Sequence, residues 1–349
     1  MKSKARKIGR LSIEDVARKA RVGLGTASRA LAGAPHVSER ARKAVWKAAG
    51  QLGYRKNPHA RALRGGSVPS AIFLCCNRSL TNTFHGAVVE GAALRLNELG
   101  WQTVLVRWDT TPQTEHPPKI LHRIGSDVLI FAGITNPRLI ECCTRIGAPI
   151  ILSTLGFEPP NAQIHADKVA VDELLAFQIG MKHMLELGHR RIGLVIDPHF
   201  PWSVRELEWW KQECSRRGVP FIDPPPLHAK TPDDYPRLGF LSAEHYLLST
   251  DRPTALMVTD DLMSMGVARA CLARGLRVPA DVSIVGKGGY PFLDFLGNPW
   301  STITMNPDKI GPSLAELAEW RRLNPKEPPR VITIDPAFVD HGSATRPQA

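Results

Sequence analysis

The segment from Ile13 to Gly33, IEDVARKARVGLGTASRALAG, constrains the fold more than any other part of the sequence. Apolar residues recur in it with the i, i+3, i+4, i+7 spacing of an amphipathic helix, first before and then after a short turn. The residues predicted to face inward are Ile13, Val16, Ala17, Ala20, Ala27, Ala30 and Leu31. This pattern is typical of a helix-turn-helix, whose second helix enters the major groove of DNA. A surface helical hairpin with a basic face is the alternative.

The charge distribution favours the first interpretation. Residues 1–66 hold 17 Lys or Arg against three acidic residues, a net charge of +14, whereas the whole chain carries +12. The remaining residues therefore total −2, so a basic module is attached to a nearly neutral body. A basic module of this kind is typical of nucleic-acid-binding domains. A solvated basic tail or a membrane-surface patch would give the same charge, but neither requires the helical periodicity.

Other features of the composition restrict the cellular context. The basic start of the chain lacks the apolar core of a signal peptide, and no run of 18 apolar residues predicts a membrane span, so we expect a cytoplasmic protein. The six cysteines show no C-x-x-C spacing, and we interpret them as small buried apolar residues of a reducing compartment. Neither they nor the scattered histidines predict a metal site, and we expect no cofactor.

Two further helices are predicted after the helix-turn-helix. Ser38 precedes an amphipathic helix from Glu39 to Leu52, in which Trp46 is expected to be partly exposed. Asn57 and Pro58 then open a short helical segment that ends at Gly65. So short a helix does not persist alone in water, which predicts an element that is ordered only when it binds something.

The run from Ile13 to Gly66 resembles the DNA-binding domain and hinge of the lactose repressor (LacI/GalR) family. The matches are Asp15-Val16-Ala17, Thr26, Ser28-Arg29, Leu31, Gly33, Val37-Ser38, Leu52-Gly53-Tyr54, Asn57, Ala60 and Leu63. The resemblance implies that Thr26, Ser28 and Arg29 contact phosphates and bases. It also places Leu24 and Gly25 where the family reads base edges.

The same resemblance assigns a role to the hinge. It implies that Asn57, Ala60 and Leu63 belong to a helix that folds on specific DNA, with Leu63 wedged into the minor groove at the centre of the operator. An apolar wedge unstacks one base step, and the resulting bend brings more protein into contact with DNA.

Three residues depart from the family pattern. Gly23 replaces the Ser or Thr that caps the recognition helix, and Arg21 replaces a glycine of the turn, so a positive φ is expected there. Gly25 has no side chain with which to read a base. Direct readout is therefore expected to depend mainly on Leu24, through a thymine methyl group, and on Arg29.

From Ser70 onward, continuous apolar strands alternate with helices, which predicts parallel, doubly wound α/β structure. The pattern forms two successive series, so we expect two lobes with a cleft between them. This body resembles the ligand-binding domain of the same family, which is shared with periplasmic sugar-binding proteins. The matching segments include Asn82-Thr83-Phe84, Val171-Asp172, Glu186 to Gly193 and Ser301-Thr302-Ile303-Thr304.

The resemblance implies three crossings of the chain between the lobes. The expected domains are the DNA-binding domain at 1–56, the hinge and linker at 57–69 and the two-lobed body at 70–349. Lobe 1 is assigned to about 70–168 and 299–325, and lobe 2 to about 169–298 and 326–349. Val331 to Ile334 is thereby placed in lobe 2.

The effector site is expected to depart from sugar-sensing relatives. Gly288 and Gly289 stand where a carboxylate often holds sugar hydroxyls, and Lys287 adds a cation. Glu206 aligns with an effector-binding arginine of relatives, with Arg205 one residue away. The candidate effector-binding residues are Phe84, His85, Arg205, Asp234, Asp260, Asp261 and Lys287. With Arg78 nearby, they favour a sugar acid or a phosphorylated sugar over a neutral hexose. Phe84 is equally a candidate core residue, and Asp261 a candidate cap for the helix that starts at Leu262.

Three classes of function compete. A transport receptor would explain only the body, and an enzyme would need a nucleotide fingerprint or a nucleophile motif that the sequence lacks. A homodimeric transcriptional regulator, bound to a palindromic DNA operator as a repressor and controlled by a carbohydrate-related effector, explains both parts of the chain. In a variant of this class, the body only dimerises and senses no ligand.

Overall fold

The computed structural model describes residues 13–31, 37–52, 68–76, 82–108, 121, 126–133, 137–144, 146–154, 166–199, 201–229, 234–297 and 299–348. The chain divides into two compact units, residues 1–68 and 69–349. In the part described, no helix is long and apolar enough to cross a membrane.

The described part of the first unit contains three helices, at the positions that the periodicity predicts. They are α1 (Ile13–Ala20), α2 (Leu24–Leu31) and α3 (Glu39–Leu52). Their core consists of small apolar side chains, namely Val16, Ala17, Ala27, Ala30, Val45, Ala48 and Ala49. Small side chains let short helices approach closely. The expected exposure of Trp46 is confirmed, since 56% of its surface is accessible.

The strands described in the second unit form two sheets. The first, all parallel, has the strand order β10-β5-β4-β3-β1-β2. Its strands are β1 (Ser70–Cys76), β2 (Gln102–Trp108), β3 (Val128–Gly133), β4 (Ile150–Thr154), β5 (Asp167–Val171) and β10 (Val331–Ile334). The second has the order β11-β9-β8-β7-β6 and is parallel except for β11. Its strands are β6 (Ile192–Val195), β7 (Ala255–Val258), β8 (Ser283–Gly288), β9 (Ser301–Thr304) and β11 (Ala337–Val339).

Helices connect the strands of both sheets. Those of the first lobe are α4 (Thr83–Glu98), α5 (Pro137–Thr144) and α10 (Pro307–Leu323), and those of the second lobe are α6 (Glu173–Glu186), α7 (Pro201–Arg217), α8 (Tyr235–Leu248) and α9 (Asp261–Ala273). A short 3-10 helix covers Pro291–Phe295. This is the doubly wound two-lobed fold that the alternation of strands and helices predicts.

The three predicted crossings are present, but the assigned lobe boundaries are wrong. The chain leaves the first sheet after β5, returns to it after β9 and leaves again after β10. Val331–Ile334 therefore belongs to the first lobe, where it pairs with Lys168–Val171, and not to the second. Ser301–Thr304 belongs to the second sheet, beside β8. An apolar run predicts a strand but does not specify which neighbour completes its hydrogen bonds, so the error arose at the crossings.

Candidate functional sites

The predicted DNA-reading residues lie on α2, in the helix-turn-helix. Leu24 is 38% exposed, Gly25 and Arg29 are exposed, and Thr26 and Ser28 are half-buried. The inward side of the same helix holds the buried Ala27 and Ala30. The helix thus separates a packed face from an accessible one, as major-groove reading requires.

The turn before α2 has the strain that the sequence predicts. Arg21 adopts a φ of 56°, in the left-handed region that favours glycine. The carbonyl of Gly23 accepts the N–H groups of Thr26 and Ala27 at 2.9 and 3.0 Å. A side chain at Gly23 would meet no other atom within 4 Å, so space does not require glycine there.

Arg29 lies back along the recognition helix. Its Nε donates to the carbonyl oxygen of Gly25 at 3.2 Å. A Cβ on Gly25 would lie 3.9 Å from the guanidinium, so the missing side chain leaves a surface that Arg29 covers. The carbonyl of Gly25 therefore holds the Arg29 side chain along the helix.

A cavity of about 100 Å³ lies between the lobes of the second unit. The first lobe contributes Asn82, Phe84, His85, Gly133 and Ser153. The second lobe and the crossings contribute Glu173, Ser203, Glu206, Tyr235, Thr259, Asp260, Met263, Lys287, Gly288, Tyr290 and Met305. Aromatic rings and hydrogen-bonding groups are mixed around it, as in the binding sites of small polar molecules.

A buried ion cluster forms one wall of this cavity. Lys287, on β8, is 6% exposed, and its Nζ donates to Glu173 Oε2 at 2.6 Å and to Glu206 Oε1. Both glutamates are equally buried. The ammonium also lies 5.3 Å from the centre of the Phe177 ring. One cation is therefore shared between two carboxyl groups away from water.

The cluster shifts the pKa values of Lys287 and Glu206. Burial alone would lower the pKa of Lys287, but the attraction and hydrogen bonds of Glu173 and Glu206 outweigh it, and the pKa is raised. Burial raises the pKa of Glu206 to about 7, because the opposing attraction of Lys287 is weaker than the burial and the repulsion of Glu173 together. Glu206 therefore takes up a proton near neutral pH.

A second polar group joins the two lobes across the cavity. Asn82, at the start of α4, donates through Nδ2 to the hydroxyl oxygen of Tyr290 at 3.1 Å. The Tyr290 hydroxyl in turn donates to Asp260 Oδ2 at 3.3 Å. This Asn82–Tyr290–Asp260 bridge links a first-lobe side chain to two second-lobe side chains.

Each of the two units matches a known protein family. The sequence model of "Bacterial regulatory proteins, lacI family" matches residues 12–57, and that of the periplasmic binding protein-like domain matches residues 181–344. The HTH-type transcriptional regulator DegA of Bacillus subtilis is 25% identical over 94% of this chain and 96% of its own length. The ribose operon repressor of Haemophilus influenzae is 24% identical over 94% and 97%. The chain belongs to the LacI family.

A solved structure supports the fold of this LacI-family regulator. The lac repressor dimer bound to operator and the anti-inducer ONPF superimposes with a TM-score of 0.77, at 21% identity, over 97% of this chain and all of that one. The family resemblance stated from the sequence is confirmed, and the chain is a DNA-binding transcriptional regulator.

Four of the predicted effector residues line the cavity of this LacI-family protein, namely Phe84, His85, Asp260 and Lys287. Three do not: among the described residues, the lining excludes Arg205, Asp234 and Asp261. The guanidinium of Arg205 lies 5.5 Å from the centre of the Trp209 ring instead, because α7 turns Glu206 toward the cavity. Asp234 stands immediately before α8.

Asp261 stabilises the interior of the second lobe and does not line the cavity. It is fully buried and accepts hydrogen bonds from Trp300 Nε1 at 2.8 Å, from Thr302 Oγ1 and from the backbone N–H of Gly289. Burial raises its pKa although these bonds oppose the rise. The cap of α9 is Asp260, which accepts from Leu262 N at 2.8 Å, so the capping role considered for Asp261 is wrong by one residue.

Lys287 offers no uncompensated charge to the anionic effector predicted from the sequence, because it forms ion pairs with Glu173 and Glu206. The glycines after it cannot carry the expected carboxylate. Gly288 and Gly289 have φ values of 140° and 75°, and a Cβ on Gly289 would lie 2.3 Å from Thr304 Oγ1. Both the conformation and the space therefore exclude an aspartate.

Several cavity residues were missed at the sequence level, chiefly Asn82, Glu173, Tyr235 and Tyr290. Asn82 belongs to a matched family segment, which is the one signal that could have found it. The predicted hinge residues Asn57, Ala60 and Leu63, with Arg78, lie outside the described residues. No group of three His, Cys, Asp or Glu side chains with metal-binding geometry occurs in the part of the chain described.

Proposed function

We propose that this protein is a homodimeric cytoplasmic repressor that binds a nearly palindromic operator. A small carbohydrate-related molecule raises or lowers its affinity for that operator. The observation that carries the proposal is the accessible face of α2, with Leu24, Thr26 and Arg29, on a strongly basic unit. A single recognition helix reads too few base pairs for specificity, and a two-fold dimer matches a two-fold site.

The cavity favours a ligand-sensing body over one that only dimerises. It is lined from both lobes, and the Asn82–Tyr290–Asp260 bridge crosses it. A ligand that contacts both lobes binds one lobe arrangement better than another, which is the requirement for allosteric control. The relatives support this direction: one is named a ribose operon repressor, and the lac repressor structure contains an operator and an anti-inducer.

Selection from random duplex DNA with the purified full-length protein tests the DNA-binding part. We expect an inverted repeat to be enriched and the protein to sediment as a dimer. A monomer at micromolar concentration that binds half-sites as tightly as full sites would contradict the proposal.

The selected operator then tests the recognition helix. Arg29→Ala should weaken specific binding by about 1–3 kcal/mol and relax the preference at one base pair of each half-site, because it removes a bidentate donor. Lys43→Ala, on the exposed side of α3, is the matched loss of charge and should change affinity without changing base preference. If Arg29→Ala weakens binding to all sequences equally and makes the salt dependence shallower, Arg29 contacts phosphate.

A further inference from the structure

The charges that line the cavity are unequal. Among the described lining residues, Glu173, Glu206 and Asp260 are acidic, whereas Lys287 is the one lysine or arginine. Asp260 is engaged by the Leu262 N–H and the Tyr290 hydroxyl, so two glutamates share Lys287 between them. A cavity with this excess of carboxyl groups repels an anion and attracts a cation.

The two glutamates compete for one cation. Lys287 Nζ donates to Glu173 Oε2 at 2.6 Å and to Glu206 Oε1, so two buried carboxyl groups lie against one ammonium. If both were ionised, the cluster would carry an uncompensated negative charge inside the protein, which burial disfavours. Lys287 supplies one positive charge, a proton on Glu206 supplies a second, and the cluster of three groups is then neutral.

We propose that the effector carries an ammonium group on a polyhydroxylated frame, and that this ammonium binds beside Glu173 and Glu206, where it supplies the second positive charge of the cluster. The inference rests on the proposed function, because it concerns the ligand of the same cavity. An ammonium has three donors, two of which can bond to Glu173 Oε1 and Glu206 Oε2, the carboxyl oxygens other than those that accept from Lys287. The proton leaves to solvent as the ligand enters, so the charge of the cluster is unchanged.

The surroundings of the cluster suit a sugar-like amine. Phe84, Tyr235 and Tyr290 supply aromatic surface against which the apolar side of a sugar ring can pack, while Asn82, Ser153 and Thr259 supply hydrogen-bonding groups for hydroxyls. The charged or titratable groups that face Glu206 from neighbouring elements are Lys287 on β8 and Glu173 on α6. His85 lies across the cavity on α4.

This exchange makes binding depend on pH. The ammonium needs Glu206 ionised, and the pKa of Glu206 in the free protein is about 7. The affinity should therefore rise with pH through neutrality, by about tenfold between pH 6 and pH 8. An amine that is protonated throughout this range is required for the measurement.

The probes are three hexoses, glucose, galactose and mannose, each compared with its 6-amino-6-deoxy and 6-phosphate derivatives. The three forms differ only in being neutral, cationic or anionic at one carbon. Calorimetric titration of the full-length protein at pH 6 and pH 8 should show at least one amine binding tenfold or more tightly than its parent hexose, with the gain larger at pH 8, and no binding of its phosphate.

Glu206→Gln should remove both the preference for the amine and the pH dependence. Glu208→Gln, on the exposed side of the same helix, should leave the amine preference and the pH dependence unchanged. If Glu206→Gln does not fold, the pH dependence of the wild-type protein still tests the inference. Tighter binding of a parent hexose or a phosphate, or binding of no amine, overturns this inference. None of these outcomes affects the selection of an inverted repeat from random DNA, which tests the proposed function separately.

Discussion

In the first lobe Arg321 and Asp167 form a buried pair of one cation and one carboxylate, whereas in the second lobe Lys287 serves two carboxyl groups. Arg321 donates to both carboxylate oxygens of Asp167 at 2.6 and 2.7 Å, and its remaining N–H groups donate to the carbonyls of Asn324, Glu327 and Pro328. Asp167 also accepts the backbone N–H of Arg330 at 2.8 Å. Charge and hydrogen bonds balance within the protein.

The Lys287 cluster lacks this balance, and it lines the cavity. The comparison teaches that burial of charge alone does not identify a functional site. A buried pair that satisfies itself joins elements of the fold, here α10, β5 and the loop before β10. A buried cluster with one carboxyl group in excess, open to a cavity, has capacity for a ligand.

The largest expected effect comes from breaking the balanced pair. Arg321→Met should lower the free energy of unfolding by about 3–5 kcal/mol, because Asp167 would remain buried without its cation. Denaturant unfolding measures the change. The comparison variant is Arg322→Ala, at the next residue of α10. It removes a solvent-accessible ion pair with Glu319 and should lower the free energy of unfolding by no more than about 1 kcal/mol. Equal losses in the two variants would contradict the structural role of the Arg321–Asp167 pair.

Breaking the unbalanced cluster should cost less, and the cost should depend on pH. Lys287→Met should lower the free energy of unfolding by about 2–4 kcal/mol at pH 8. The loss should shrink toward pH 5, since a proton on Glu206, whose pKa is raised, can replace the missing cation. Unfolding at both pH values measures the trend, with Arg321→Met as the comparison. A loss at pH 5 as large as that at pH 8 would show that Glu206 does not take up a proton.

Replacing Glu206 should raise the free energy of unfolding near neutral pH, whereas replacing Lys287 should lower it. The pKa of Glu206 is raised in the folded protein, so its contribution is favourable below its unfolded pKa near 4.5 and is lost as the pH rises toward 7. Glu206→Gln should therefore gain stability relative to wild type between pH 5 and pH 8, on the order of 2 kcal/mol. Glu208→Gln should show no such trend in the same unfolding series. A relative stability of Glu206→Gln that falls with pH would rule out the raised pKa.

The smallest effect should come from the bridge between the lobes. Tyr290→Phe removes the hydroxyl that bonds to Asn82 and Asp260, and it should lower the free energy of unfolding by about 1 kcal/mol. Small-angle scattering should show a larger radius of gyration if the bridge holds the lobes together. Tyr246→Phe removes a buried hydroxyl that bonds to Leu194 O within one lobe, and it should not change that radius. The same radius of gyration in both variants would show that the Asn82–Tyr290–Asp260 bridge does not hold the lobes together.

The sequence by itself determined the elements and the family. Helical periodicity places Val16 and Ala17 inward and Leu24 outward, because a helix repeats every 3.6 residues whatever surrounds it. Continuous apolar runs identify the buried strands because the strands of a parallel sheet are covered on both faces. The positive φ of Arg21 was expected from the resemblance, since the family has a glycine at that position of the turn.

Only the tertiary structure decided which strand completes which sheet and which charges meet. Val331–Ile334 could have extended either sheet on its apolar content, and its pairing with β5 depends on where the chain crosses between lobes. Lys287, Glu173 and Glu206 are far apart in sequence and lie on three elements. From the sequence, Lys287 suggests an anionic ligand. Its two buried partners reverse that expectation, because the charge of a site is the sum of what the fold brings together and not of what one segment carries.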